Sequence, residues 1–330
     1  MGVHDGSSSR TLAAAHGDWR GAPVGLDTPF FIASTSKLLA TAMIMRLRAD
    51  GLLRLDDAIV RFFPAGEIDG LHRFGGRDHT HQITVRHLLA HSSGLPDYFE
   101  GLRRDGTRFA DGLLAGCDGG YGLEEVIAWS RDEMRPQFPP GHGRRALYSD
   151  TNFYLLGAII ERVHGAPLPE ALRMLVSGPL GLQATRFYAA GDEAVPLRHG
   201  GKELVLPLAM ASMRVDGGAV STIRDLLVFT RAFFAGRIFP AAYLTEMSDW
   251  RRIFFPLETG IGILRFRLPR WLAPFNRAPD LIGHSGISGA FAFHAPERDV
   301  TVCGTVNQLA SRSRPYRLMV EALEAVRRSC

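Results

Sequence analysis

The stretch FIASTSKLLATAMIMRLRADG, residues 31–51, decides how the chain is read. From Ser34 onward Leu38, Leu39, Ala42, Ile44, Met45 and Leu47 recur at spacings of three and four, the period of an α-helix, until Asp50-Gly51 stops it. Such a helix is mostly buried. Ser34 stands at its start and Lys37 follows three residues later on the same face, where hydroxyl and amine can meet. A serine is a poor nucleophile until a base takes its proton, and a lysine amine can be that base, or tune it, if burial lowers its pKa. The helix N-terminus adds a backbone N–H for an oxyanion. The plainer alternative makes Ser34 an N-cap and Lys37 a solvated first-turn residue. Against it stands the cation inventory: of 38 Lys and Arg, only Lys37 and Lys202 are lysines. Where this chain merely needs positive charge it uses Arg, and one thing an arginine cannot do is lose a proton.

Outward from that helix, RTLAAAHG (10–17) and PFFIA (29–33) read as short strands around the turn GAPVGLD, so a small sheet begins at the N-terminus. Residues 52–260 mix helical segments with glycine-rich connections. Strand-like runs then return as GILRFRL (262–268), SGAFAFHAP (288–296) and VTVCGTVN (300–307), before a helix over 314–326. Strands at both ends flanking a helical middle predict an α+β fold, with an antiparallel sheet built from both termini, flanked by helices, and a mainly helical insertion. The expected division is a sheet domain of residues 1–58 and 261–330 and a helical domain of residues 59–260, forming one catalytic unit.

The 330 residues are 46% hydrophobic and 22% charged, which excludes disorder for most of the chain and supplies a large core. The net charge of +4 comes from cations spread along the sequence, and with no basic block a nucleic-acid partner is not expected. Cys117, Cys303 and Cys330 are odd in number and lack CxxC spacing, which fits neither a disulfide framework nor a zinc knuckle. MGVHDGSSSR has no apolar signal core and no apolar run reaches the ~18 residues of a membrane span, so the chain as written reads as cytoplasmic, with no integral membrane segment, unless a precursor begins upstream of Met1.

Two further segments could carry chemistry. Tyr148-Ser149-Asp150 precedes a helix whose Leu155, Leu156, Ile159, Ile160 and Val163 form an apolar stripe ending near Gly165. A tyrosine beside an ammonium can be held as phenolate and act as a general base, although alone Tyr148 is an ordinary packed aromatic and Asp150 an ordinary cap. Gly283-His284-Ser285-Gly286 reads as an edge segment or turn lining a cleft, with His284 facing substrate. The small Gly286 there would admit close backbone approach, and the Ile287 N–H would be a second oxyanion donor. No Gly-x-Ser-x-Gly elbow supports an α/β-hydrolase.

Together STSK (34–37), YSD (148–150) and HSG (284–286) resemble the SxxK, YxN and [KH]xG motifs of the serine β-lactamase and penicillin-binding superfamily, most closely its class C β-lactamase, DD-peptidase and family VIII esterase branch. ITVRHLLAHSSGLPDY (83–98), FPPGHGRRALYSDTNFYLLGAIIERVHG (138–165), DGGAVSTIRDLLVF (216–229) and GHSGISGAFAFHAPERDVTVCGTVNQ (283–308) extend the likeness over nearly the whole chain. The resemblance implies a β-lactamase/transpeptidase-like fold with the active site between sheet and helical region. It makes Ser34 the acylated nucleophile, Lys37 and Tyr148 the proton-transfer pair, His284 the third-motif residue, and the Ser34 and Ile287 amides the oxyanion hole. It implies no metal or organic cofactor. The partner is then a small ester, amide or β-lactam-like substrate; nothing speaks to oligomeric state.

Three departures stand out. The N-terminus is short, without the helix expected before the first strand. Asp150 replaces the usual Asn, and His284 replaces the Lys common in β-lactamases and carboxypeptidases. Asp150 would hold Lys37 protonated and so favour a tyrosinate at Tyr148. With neither a third-motif ammonium nor a second-motif amide, the expected activity is that of a serine hydrolase, esterase-like on small neutral substrates. A β-lactamase or D-alanyl-D-alanine carboxypeptidase is the alternative, and a catalytically silent binding protein of the same fold a further one. His72, His79, His81, His87 and His91 suggest a metal site, but no acidic ligand follows at suitable spacing, and His87 and His91 fall on a segment the resemblance assigns to a structural helix and turn.

Overall fold

A computed structural model describes residues 1–267 and 279–328; Leu268 of the GILRFRL run and Cys330 lie outside the described residues. The organising element is the helix Ser36–Ala49, with every residue from Ser36 to Met45 buried, and Leu47 as well. Its Leu, Ala and Met are strong helix formers, and being apolar nearly all round it can only sit inside the molecule. It ends where the sequence predicts, with Gly51 in the left-handed region at φ +75°. The helix Asp150–His164 packs against it, and the helix Pro207–Gly217 packs against both.

The other half is an eight-stranded antiparallel sheet in the order 251–254, 257–259, 264–266, 281–285, 291–295, 300–304, 2–5, 10–13. It is built from both termini, as expected. Alternation along its strands separates two buried faces. Ala292 and Cys303 pack with Ile223, Leu226 and Leu227 of the helix Ile223–Phe234, whereas Phe291, Phe293, Val300 and Val302 pack with Met319, Ala322 and Leu323 of the helix Arg314–Arg328. No helix among the described residues is long and apolar enough to cross a membrane.

Several strands differ from the sequence reading. Gly2–Asp5, not read as a strand, is fully buried and pairs with Val300–Gly304 on one side and Arg10–Ala13 on the other. PFFIA does not join this sheet: Phe30–Phe31 pairs with Ala219–Ser221, which also pairs with Arg186–Phe187. Two strands, Arg251–Phe254 and Leu257–Thr259, begin the large sheet before residue 261. His284 is on neither an edge nor a turn. It lies in Leu281–Ser285, paired on both sides with Leu264–Phe266 and Phe291–Ala295, so its glycine neighbours mark close strand packing instead of a bend.

Candidate active site

Ser34 lies in a single tight turn, Ala33–Thr35, immediately ahead of the long helix and not within it. Thr35 makes the first hydrogen bond of the turn, to Ile32 O, which leaves the Ser34 N–H with no acceptor there. Ala33 takes a φ of +46°, a conformation costing on the order of 1 kcal/mol for a residue with a Cβ, held because the surroundings over-determine it. Ser36 is one reason: its hydroxyl donates to Ala33 O at 2.6 Å and accepts from Ala219 N at 3.1 Å, tying the turn to the strand behind it. Sequence reasoning passed over Ser36.

Lys37 is 0% exposed. Its Nζ donates to Ser34 Oγ at 3.2 Å, pairs with Asp150 Oδ1 at 2.5 Å and donates to the backbone oxygen of Asp216. The solvated first-turn reading is thereby excluded. Burial alone would push the ammonium down, but Asp150, Tyr148 and Asp216 outweigh it and hold Lys37 above its ordinary value. Asp150 opens the helix Asp150–His164, with Ser149 as its N-cap, and its carboxylate goes to Lys37, not to capping.

The Tyr148 ring stands 5.2 Å from Lys37 Nζ and stacks on His91 at 4.5 Å. Its hydroxyl faces Ser34 and Lys37, both of which favour the ionised form, yet burial and the charge of Asp150 push the phenol up. The surroundings therefore favour the charged form of Lys37 and the neutral form of Tyr148.

His284 is 2% exposed, with Nδ1 2.8 Å from Ser285 O and its ring 6.3 Å from that of Tyr148. Burial, then the charge of Lys37, pushes it down to about 3. It backs Tyr148 and does not face the cleft. The residues after it do. A Cβ on Gly286 would stand 2.7 Å from Ile32 O, 2.8 Å from Ala33 Cβ and 3.1 Å from Ser34 N, so only glycine lets this strand end close against the Ser34 turn, and the next residue, Ile287, lines a common cavity with Ser34.

Two cavities meet at this point. One, of about 420 Å³, is lined by Ser34, Asp150, Ile287 and Asp216 with apolar walls that include Leu206 and Met213. The other, of about 460 Å³, shares Ser34, Asp150 and Ile287 and adds Tyr148, Phe254 and Tyr316. Sequence reasoning also missed Asp216, Tyr98 and Asp97, although all three lie in the segments LPDY and DGG: Asp216 and Tyr98 are buried and bonded to each other, Asp216 reaches Lys37 through its backbone oxygen, and Asp97 is half-buried beside Asp150. Asp97 accepts from the amides of Asp150, Phe99 and Glu100, and burial followed by the charge of Asp150 raises its carboxyl to about 7.

Four of the five histidines between residues 72 and 91 have other engagements. His72 bonds Phe138 O, His79 bonds Gln82, His87 caps the helix Val85–Leu89, and His91 accepts from Ser149 N. Among the described residues no three His, Cys, Asp or Glu side chains are grouped to hold a metal ion.

Comparison with known proteins agrees with this architecture. The chain is 34% identical over 194 residues to Esterase EstB of Burkholderia gladioli, covering 56% of this chain and 45% of that protein. The chain thus spans less than half the length of that relative. Among solved structures, a D-amino acid amidase from Ochrobactrum anthropi superposes with a TM-score of 0.77 at 25% identity, covering 100% of this chain and 93% of that one. A D-stereospecific amidohydrolase from Streptomyces sp. gives 0.72 at 26%, covering 93% and 88%. The Beta-lactamase family profile matches residues 1–325, and with a serine and a lysine in contact at the head of a buried helix, beside a sheet made from both termini, the chain belongs to the Beta-lactamase family.

Proposed function

We propose that the protein is a serine hydrolase that forms an acyl-enzyme on Ser34 and releases it to water, acting on small esters that carry no carboxylate. The observation that carries this reading is the 3.2 Å contact between Lys37 Nζ and Ser34 Oγ at the junction of two cavities. One cavity takes the acyl chain and the other the leaving group.

Because Lys37 rests protonated, it accepts the Ser34 proton only as it hands one of its own to Asp150. Ser34 Oγ then bonds the acyl carbon, and the developing oxyanion lies between the Ser34 and Ile287 amides. On collapse the ester C–O bond breaks and the leaving alkoxide takes the Tyr148 proton. Tyr148 is reprotonated from Lys37 as Asp150 returns its proton, so the net transfer is from serine to leaving group. Water repeats the sequence to free the acid.

The ester preference rests on charge. His284, buried and neutral, offers no ammonium to a substrate carboxylate, and Asp150 accepts hydrogen bonds where an Asn would also donate. Similarity to an esterase supports the same class. Kinetics on p-nitrophenyl butyrate and a chromogenic cephalosporin test it. The ester is expected to give the higher kcat/KM by at least an order of magnitude; efficient cephalosporin turnover exceeding ester turnover would favour the β-lactamase alternative, and no turnover of either the silent one.

A further inference from the structure

We infer that the cavity lined by Ser34, Tyr98 and Asp216 binds a protonated amine carried on the acyl part of the substrate, with the Asp216 carboxylate as counter-ion. This rests on the acylation of Ser34 proposed above and assigns one arm of the substrate.

Charge is mismatched around Lys37. Two buried carboxyl groups, Asp150 and Asp216, with the half-buried Asp97 beside Asp150, share one ammonium, Lys37, while the neighbouring His91 and His284 are held neutral by burial and by Lys37 itself. Lys37 is matched by Asp150. Both Asp97 oxygens accept backbone amides. Asp216 is different: Oδ2 accepts from Tyr98 OH at 2.6 Å, but Oδ1 has no hydrogen-bond partner among the described residues, and Lys37 reaches only its backbone oxygen. The residue is 2% exposed and lines the cavity. An unsatisfied carboxylate oxygen at such depth is unfavourable unless it finds a cation or a proton. Burial, and then the charge of Asp150, accordingly push its carboxyl well up.

The cations at the rim do not meet this need, since Arg108 faces Asp111 at 3.9 Å and Arg312 pairs with Glu100 at 2.9 Å. An ammonium arriving with the substrate would. Tyr98, whose hydroxyl donates to Asp216 Oδ2, lines the same cavity. Leu113, Leu206, Met210 and Met213 complete the walls, so the group beside the amine is apolar. As Ser34 lines the same cavity, the amine sits only a few bonds from the scissile carbonyl.

The test compares benzyl β-alaninate with benzyl butanoate, the same skeleton with an ammonium in place of a methyl. At pH 7 the wild-type protein is expected to favour the amine ester in kcat/KM by at least about tenfold, as a charge-assisted hydrogen bond allows, mainly through KM. In Asp216→Asn the ratio of the two should fall toward one, whatever happens to either absolute rate. Equal wild-type values, or a preference that survives the substitution, would overturn the assignment. If neither ester turns over, the acylation reading fails instead. A measurement independent of turnover and of the variant then decides the amine site: propylammonium chloride should raise the wild-type Tm above that in equal sodium chloride or 1-propanol, and no difference would refute the site.

Discussion

Lys37 is where the residue scale is most exposed to test. Its ammonium is enclosed by Asp150, the Asp216 carbonyl and the faces of Tyr148 and Phe153, a space shaped for a point charge and not for a planar fork. Lys37→Arg should therefore lower kcat/KM for p-nitrophenyl butyrate about as severely as Lys37→Ala, on the order of 10³-fold or more, because groups that act as a unit fail together. An arginine variant with wild-type kcat would reduce Lys37 to a mere charge. Asp97 makes a second prediction, about stability. With its folded carboxyl raised to about 7 against an ordinary value near 3.8, the unfolded chain ionises first as pH rises. Wild type should therefore lose stability relative to Asp97→Asn progressively between pH about 4 and about 7, with no further change above that, by an amount of a few kcal/mol. Urea melts at several pH values check it, and a constant difference would contradict the raised value. At this scale the serine and lysine were legible because spacing and the scarcity of lysine both pointed to them. Asp216 and Tyr98 were not, because nothing in DGG or PDY says that two distant segments bury a carboxyl against a phenol.

Elements read well where local pattern decides and poorly where pairing does. The helices Ser36–Ala49 and Asp150–His164 follow from their apolar spacing and their glycine stops. The strand Gly2–Asp5 has a single branched apolar residue, and only its two neighbours, one from the far end of the chain, make it a strand. His284 failed for the same reason: glycines on either side suggest a turn until the second pairing partner is known. Gly286 tests how strand and turn meet. Gly286→Ala places a Cβ against Ile32 O and the Ser34 turn, and should cut kcat by about 10²-fold, the usual consequence of losing an oxyanion donor, with KM less affected. Unchanged kcat would remove the Ile287 amide from the account. Two phenylalanines separate stability from binding. Phe293, fully buried in the sheet, should cost about 3–5 kcal/mol when cut to Ala in denaturant melts, whereas Phe254, half exposed beside Tyr148, should leave stability nearly unchanged and raise KM.

For the whole molecule, the sheet from both termini and the helical half were both legible, and the family follows from three short motifs in the right order. What sequence could not supply is the relation between them: the turn bearing Ser34 is held in a strained conformation between Ser36, Ala219 and the end of the His284 strand, and two cavities open on either side of it. Every part of that arrangement converges on one oxygen atom. The most direct measurement is intact and peptide mass spectrometry after reaction with a fluorophosphonate probe. One equivalent of adduct is expected, on the peptide containing Ser34, and none on Ser34→Ala, which should also lose ester hydrolysis. Label on another serine, or undiminished labelling and turnover in the alanine variant, would contradict the account.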